Sequence, residues 1–309
     1  MLAFVALSEQ EFFDGWASPH LNATIFRPLF QGVCAGTHRL SIIVNRRDGP
    51  LVSAGYQFQD VTFQAPLESM STSCPHLSEP LVKAVNSAWS KSSVAWSSIV
   101  ASLPAFLIAN SESSELPSET CAMMSAIAME RLLSSDGNAY RFSQAFADAW
   151  KPAGQIRVQK AKYAKATDEG YPEQQNWFIH RKWAKELYEA RSAAAHRVRH
   201  DHLSTNWSAW QHVVATAFAY PLVAKRLLEK EAAYELTRRE RASCEAFDEL
   251  LDSQWGMGMQ HPPEWREVLS FYRAIRAWGL DSGQGEASAW RQYSSRAIPV
   301  GPSEGKNVR

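Results

Sequence analysis

The chain has 309 residues, 45% of them hydrophobic and 21% charged, and equal numbers of basic and acidic side chains give a formal net charge of zero. This composition is typical of a globular protein with one large or two ordinary domains, and it excludes a chain that is disordered throughout. No apolar run approaches the roughly 18 residues of a membrane span, and the short apolar start lacks the flanks of a signal peptide. We therefore expect a cytoplasmic protein without a membrane partner.

The first 65 residues are predicted to be mostly β. A β-branched run that ends at Asn45 precedes a turn cluster, Asn45–Pro50, and apolar residues then alternate from Val52 to Phe58. Thr24–Phe30 is another candidate strand, which Pro28 would confine to a sheet edge or break. We expect a small β-rich N-terminal domain over 1–65, followed by a Ser- and Pro-punctuated linker over 66–78.

From residue 79 onward the apolar residues recur at helical spacing. Pro104 is predicted to follow the first helix. Ser204 or Thr205 is predicted to cap the helix over 207–237. The predicted fold class is α+β, with the β-rich domain followed by a mainly helical domain over 79–280 and a flexible tail over 281–309. The predicted helices cover 79–103, 117–136, 140–150, 173–200, 207–237, 241–251 and 263–279.

A basic window interrupts the balanced charge. Residues 151–200 carry eleven Lys and Arg against five Asp and Glu, which gives this window +6 and the remainder −6. A local positive field attracts polyanions at short range, although Lys and Arg on a solvated helix face would give the same count.

Within this window, Leu187–His196 places an arginine five residues before a histidine. RNA can be cut by its own 2′-hydroxyl, which needs a base, an acid and positive charge at the phosphate. Histidine titrates near neutrality and can act as base or acid, whereas arginine offers a fixed charge and a planar donor fork. Arg191 and His196 therefore suit RNA cleavage without a metal or another cofactor.

Helical geometry constrains this pair. Five residues rotate a helix by about 500°, so Arg191 and His196 lie roughly 140° apart, whereas Ser192 and His200 share the face of His196. A working site requires Arg191 to reach around the helix, a break at the alanines, or a second subunit that completes the cleft.

The segment Leu187–His196 resembles the motif of HEPN-domain ribonucleases, in which four to six residues separate Arg from His and a polar residue often follows the Arg. The earlier stretch 126–133, with Glu130, resembles the Glu-containing helix that precedes this motif in many such domains, including the Apea-like group. The resemblance implies an all-helical HEPN bundle over about 80–235, with extra C-terminal helices.

The resemblance also implies roles for individual residues. Arg191, Ser192 and His196 would be catalytic, and Glu130 and Tyr188 would support them. The substrate would be RNA, tRNA among the candidates, cut at a homodimer interface by a toxin or phage-defence effector that an antitoxin or other regulatory partner controls. The candidate RNA-binding residues of the basic window are Lys182, Lys185, Arg197, Arg199 and His200.

Two other interpretations remain open. His196 and His200 are spaced to place two imidazoles on one helix face, and with His202 or Asp201 they could form part of a zinc site. Alternatively, the bundle binds RNA or nucleotides, or dimerises, without cutting. His180 and His212 are predicted to be structural. The Trp-rich helices are predicted to be core rather than to stack on bases, and the four Cys are predicted to be reduced, buried thiols.

Overall fold

The structure is a computed structural model, and for the strands and residues 172–173 and 195–196 it describes the backbone alone. The described residues are 4–5, 8, 29–33, 40–46, 49–56, 78–110, 117–135, 137–151, 153–154, 156–163, 172–196, 206–253, 255, 268–270 and 272.

Three strands form one antiparallel meander in the order β1-β2-β3. They are β1 (Leu29–Val33), β2 (Leu40–Arg46) and β3 (Gly49–Tyr56). Strands β2 and β3 are joined at the turn cluster, where Arg46 pairs with Gly49 and Asn45 with Pro50, and the register shifts between Leu40 and Ile42.

The first predicted helix is two helices, α1 (Glu79–Ser90) and α2 (Val94–Ala109), which meet at an angle of 107°. The chain turns because Ser92 adopts a left-handed φ of 49° and the Ser93 hydroxyl caps α2 by accepting from the Trp96 amide. Pro104, which we expected to begin a loop, lies inside α2.

Five further helices follow within the described residues. Helices α3 (Ser118–Leu132) and α4 (Ala139–Trp150) agree with the predicted segments, and Asn138 caps α4 through the Arg141 amide. Helix α5 (Ile179–His196) carries the Arg–His motif. Helix α6 (Ala209–Lys230) runs on through Pro221 and is capped by Ser208 rather than by Ser204 or Thr205; α7 is Arg238–Leu251.

Helix α3 lies at the centre of the bundle, because it packs on α2, α5 and α6, whereas α4 packs on α5. The core is aromatic and tightly stacked. The rings of Phe106 and Tyr220 lie 4.0 Å apart, and the Tyr220 hydroxyl is 2.7 Å from Ser102. Phe146 stacks on Trp150, and Trp183 meets Phe247 edge-on. Trp150 of α4 and Trp183 of α5 are therefore core residues, as predicted, whereas Trp89 of α1 and Trp210 of α6 are exposed, against the prediction.

The described residues between α4 and α5 are bound to the end of α7. Asp248 accepts the Ile156 amide at 2.8 Å, and Asp252, one turn later, accepts the amides of Lys162 and Tyr163 at 2.9 Å. Short 3₁₀ turns occur at Val158–Lys160 and Pro172–Asn176. Helix α5 starts later than predicted, because residues before Ile179 pair with this segment instead: the Val158 amide bonds the Trp177 carbonyl.

The predicted α+β class with a β-rich N-terminal domain is wrong, because the described part of the chain is mainly helical. The described core is built from helices and their connections, and no β-rich domain is seen among the described residues. Alternating apolar residues predict local strands, but they do not indicate whether those strands build a core of their own. The predicted linker and tail lie outside the described residues, apart from Ser78.

No single helix in the described part of the chain is long and apolar enough to cross a membrane. The bent pair α1–α2 meets the length and composition test when its two helices are taken together.

Candidate functional site

Helix α5 positions the Arg–His motif by burying one face against α3, α4 and α7. Ile179, Trp183 and Leu187 recur every four residues, and all three are fully buried. This apolar face fixes the rotation of the helix and directs Arg191 towards α3. The helix continues to His196, so a break at the alanines, one of the three geometries we considered, does not occur.

Arg191 is paired with Glu130 of α3. Its Nη2 lies 3.3 Å from Oε2 and its Nη1 lies 3.4 Å from Oε1, while the two side chains are 31% and 18% exposed. The predicted supporting residue is thus in direct contact with the predicted catalytic arginine, 61 residues away along the chain. Both distances are long for a charged hydrogen bond, so the guanidinium is oriented but loosely held.

Tyr188 completes the cluster around Arg191. Its ring packs against Phe142 at 5.6 Å between centroids, and its hydroxyl donates to the Gly137 carbonyl at 3.1 Å. The Arg191 guanidinium carbon lies 5.1 Å from the centre of the Tyr188 ring. Tyr188 therefore packs against Arg191 and connects α5 to the turn that precedes α4.

The other motif residues lie at the end of α5. Ser192 is partly exposed, and Ala193 is buried. His196 is the last residue of the helix, and its side chain lies outside the described part of the structure, as do Arg197, Arg199, His200, Asp201 and His202.

Lys182, predicted to bind RNA, has a different role. Its side chain is 2% exposed, and its Nζ lies 3.1 Å from Glu186, which is also buried. The Glu186 carboxylate accepts the amide and the side-chain NH₂ of Asn206, both at 2.7 Å. Burial raises the pKa of Glu186, against the opposing effects of Lys182 and Asn206. This charged cluster ties Asn206 to α5, and the sequence carried no local signal for it.

Lys185 is less accessible than the sequence suggested. Its Nζ lies 2.6 Å from Glu189, one turn later on the same helix. Glu189 therefore partly neutralises the positive charge that Lys185 places beside the motif.

His180 and His212 are buried, as predicted for structural histidines. His180 Nδ1 lies 2.8 Å from Asp248, and its ring stacks on Phe178. Both ring nitrogens of His212 lack hydrogen-bond partners, and burial lowers its pKa to about 3. Neither Cys121 nor Cys244 is in a disulfide, and burial raises the pKa of Cys244 to about 11. Cys34 and Cys74 lie outside the described residues.

The described residues contain no group of three His, Cys, Asp or Glu side chains that could hold a metal ion. The zinc interpretation, which involves His196, His200 and His202, concerns side chains outside that part of the chain.

The chain matches no protein-family model, and no curated protein or solved structure is significantly similar to it. The likeness to HEPN ribonucleases therefore depends on the motif and on the Glu-containing helix.

Proposed function

We propose that the chain is a metal-independent endoribonuclease of the HEPN type. The observation that supports this most is the contact between Arg191 and Glu130, because it joins the two segments that carry the resemblance. An arginine held by a carboxylate near a helix end that also carries a histidine supplies the two groups that RNA cleavage by its own 2′-hydroxyl needs.

In the proposed reaction, a base removes the proton of the 2′-hydroxyl, whose oxygen attacks the adjacent phosphorus. The bond from phosphorus to the 5′-oxygen breaks, and an acid gives that oxygen a proton. The products are a 2′,3′-cyclic phosphate and a 5′-hydroxyl. His196 acts as base or acid, a role typically worth about 10²- to 10⁴-fold in rate.

Arg191 stabilises the charge that develops on the phosphate. Glu130 contacts the two terminal nitrogens of the guanidinium, one N–H of each. The Nε–H and the outer N–H groups then remain for phosphate oxygens, since a guanidinium has five N–H donors. Glu130 is thus a positioning residue in this mechanism, and the Tyr188 ring also packs against the guanidinium.

The biological setting that follows is a toxin or phage-defence effector, acting as a homodimer on cellular RNA such as tRNA. Positions 191 and 196 lie about 140° apart around a continuous helix, so a site assembled from two copies suits this pair better than one isolated helix.

Cleavage of total RNA in the presence of EDTA tests the proposal. The wild-type protein should produce fragments with 2′,3′-cyclic phosphate ends, and His196→Ala and Arg191→Ala should each reduce the rate by at least about 100-fold. Arg131→Ala, which removes an exposed arginine next to Glu130, should cut at the wild-type rate.

The outcomes separate the alternatives. Cleavage that persists in both variants would exclude this motif from the mechanism. Activity that EDTA abolishes would favour the zinc interpretation, and RNA binding without cleavage would favour a non-catalytic module.

A further inference from the structure

Besides the cluster around Arg191, a second cluster of arginines and aromatic rings lies to one side of the motif, on α4 and around the start of α5. Arg181 is partly exposed, and its guanidinium carbon lies 3.8 Å from the Trp177 ring centre and 5.0 Å from that of Tyr140. Its Nε and Nη2 are buried without a hydrogen-bond partner. The contacts that hold this guanidinium in place are therefore those with the two rings, because two of its three nitrogens have no acceptor.

Tyr140 is the exposed member of the cluster. It is 54% exposed, although its ring meets Trp177 edge-on at 5.7 Å and has Arg181 against it. A ring held in place by neighbours and open to solvent has the form of a stacking platform for a base, since every nucleobase has a π-face. The buried Trp residues of the core cannot serve in this way.

The cluster is continuous with the Arg191 site. Tyr188 lies against Arg191 and bonds the Gly137 carbonyl, and the exposed side chain of Arg141 lies over Gly137, 3.9 Å from where a Cβ would be. Tyr140, the residue before Arg141, contacts Arg181. Ten residues of helix separate Arg181 from Arg191, about 15 Å. We call this surface the arginine–aromatic track; its members are Tyr140, Arg141, Trp177, Arg181, Tyr188 and Arg191.

The charge of the track indicates the kind of ligand that it binds. Four of the five cation–aromatic contacts in the described part of the chain involve α5 or the residues just before it. The nearby acids Glu130 and Glu189 are each paired with a base. An exposed ring flanked by arginines fits a strand with unpaired bases, because the ring stacks on a base and the arginines contact the phosphates.

We propose that the track binds single-stranded RNA, with one base stacked on Tyr140 and the adjoining phosphates contacted by Arg141 and Arg181. This inference rests on the proposed ribonuclease function for the identity of the nucleic acid, and it leads the strand towards Arg191.

The test measures binding of a fluorescein-labelled 2′-O-methyl oligouridine of twelve nucleotides by anisotropy. This probe keeps its bases but lacks the nucleophile, so binding is measured separately from cleavage. Tyr140→Ala should weaken binding about tenfold, in line with the loss of one base–aromatic stack. Tyr140→Phe keeps the ring and should bind as the wild type does, as should Trp89→Ala, which removes an equally exposed ring from α1.

Two further variants keep the test decisive if Tyr140→Ala unfolds, which far-UV circular dichroism would detect. Arg181→Lys keeps the charge but loses the planar group between the rings, and it should weaken binding several-fold. Arg141→Gln should lower the slope of log affinity against log salt by about 0.7, the loss of one phosphate contact on a single strand.

Equal affinity for the wild type and both the Tyr140→Ala and Arg181→Lys variants would overturn the track, as would no binding of the oligonucleotide. The predicted pattern of affinities together with no cleavage of ordinary RNA would support the track and overturn the ribonuclease.

Discussion

Glu130 on α3 holds Arg191 on α5 through two contacts of 3.3 and 3.4 Å between their charged atoms. Both side chains are partly exposed, so the pair contributes at most about 1 kcal/mol to stability. Its larger effect is on orientation, because the carboxylate orients the guanidinium while leaving other N–H groups unused.

Replacing Glu130 by Gln should therefore lower kcat of RNA cleavage about tenfold while KM stays equal or falls. The variant loses the group that orients Arg191, but it also loses a negative charge that opposes phosphate. Steady-state kinetics on a fluorogenic RNA measure both constants. Glu119→Gln, on an exposed carboxylate of the same helix, is the control and should change neither constant. A rise in KM with unchanged kcat would contradict a positioning role.

Mixing two inactive variants should restore cleavage if the site is assembled from two copies. A dimer of one Arg191→Ala and one His196→Ala subunit has one site with both groups intact. Random exchange of subunits then gives about a quarter of the wild-type activity, because half of the dimers are mixed and each has one working site of two. The rate after mixing under subunit exchange is the measurement. Continued inactivity, with exchange verified by labelled subunits, would place both groups of each site in one copy.

The helices were predictable where the signal is local. Asn138 and the Gly137 turn mark the start of α4, and Glu119 and Pro117 mark the start of α3. The Ser93 cap of α2 was not predicted, because 79–103 was predicted as one continuous helix. Pro104 misled because proline usually ends a helix. In α2 it does not, because the helix buries Leu103 and Phe106 on either side of it.

The candidate site was predictable only as a list of residue types. Sequence order does not indicate that Glu130 meets Arg191, because that contact depends on how α3 packs on α5. The same packing explains Lys182, whose spacing from Glu186 is that of an ordinary surface pair. The rotation of α5, set by Ile179, Trp183 and Leu187, buried this pair.

Stability should depend on pH through His212. An unfolded histidine takes up a proton near pH 6.5, whereas burial lowers the pKa of His212 to about 3 in the folded protein. The unfolded state therefore binds more protons between these values, and stability falls as the pH falls, by about 1.4 kcal/mol per unit below pH 6.5. His212→Leu should remove this pH-dependent part of the unfolding free energy. Measured by urea unfolding, the free energy of unfolding of the variant minus that of the wild type should therefore rise by about 2 kcal/mol from pH 7.5 to pH 5.

Thr216→Val provides the comparison for His212→Leu. Thr216 lies one turn later on α6 and is also buried without a hydrogen-bond partner, but it does not titrate. Its unfolding free energy should run parallel to that of the wild type across the same pH range. Parallel curves for His212→Leu as well would show that the imidazole is protonated equally in the folded and unfolded protein.

The buried pair of Lys182 and Glu186 should show strong coupling in stability. Glu186→Gln leaves the Lys182 charge buried without its partner and should cost about 3–5 kcal/mol. Lys182→Met should cost less, because burial already raises the pKa of Glu186 and favours its neutral form. Because the folded pKa of Glu186 lies above the unfolded value of 4.5, the folded state binds more protons between these two pKa values. Lys182→Met should therefore lose stability as the pH rises from the unfolded pKa through the folded pKa of Glu186.

A double-mutant cycle from urea unfolding at pH 7 measures the coupling. Lys182→Met with Glu186→Gln should be more stable than the sum of the single losses by at least about 1 kcal/mol. Lys83 and Glu79 on α1 form an ion pair with the same spacing at 2.6 Å, but their side chains are 74% and 77% exposed. The matching cycle on that pair should give about 0.5 kcal/mol or less, because water screens it. Equal coupling in the two pairs would mean that burial of Lys182 and Glu186 adds nothing to their interaction.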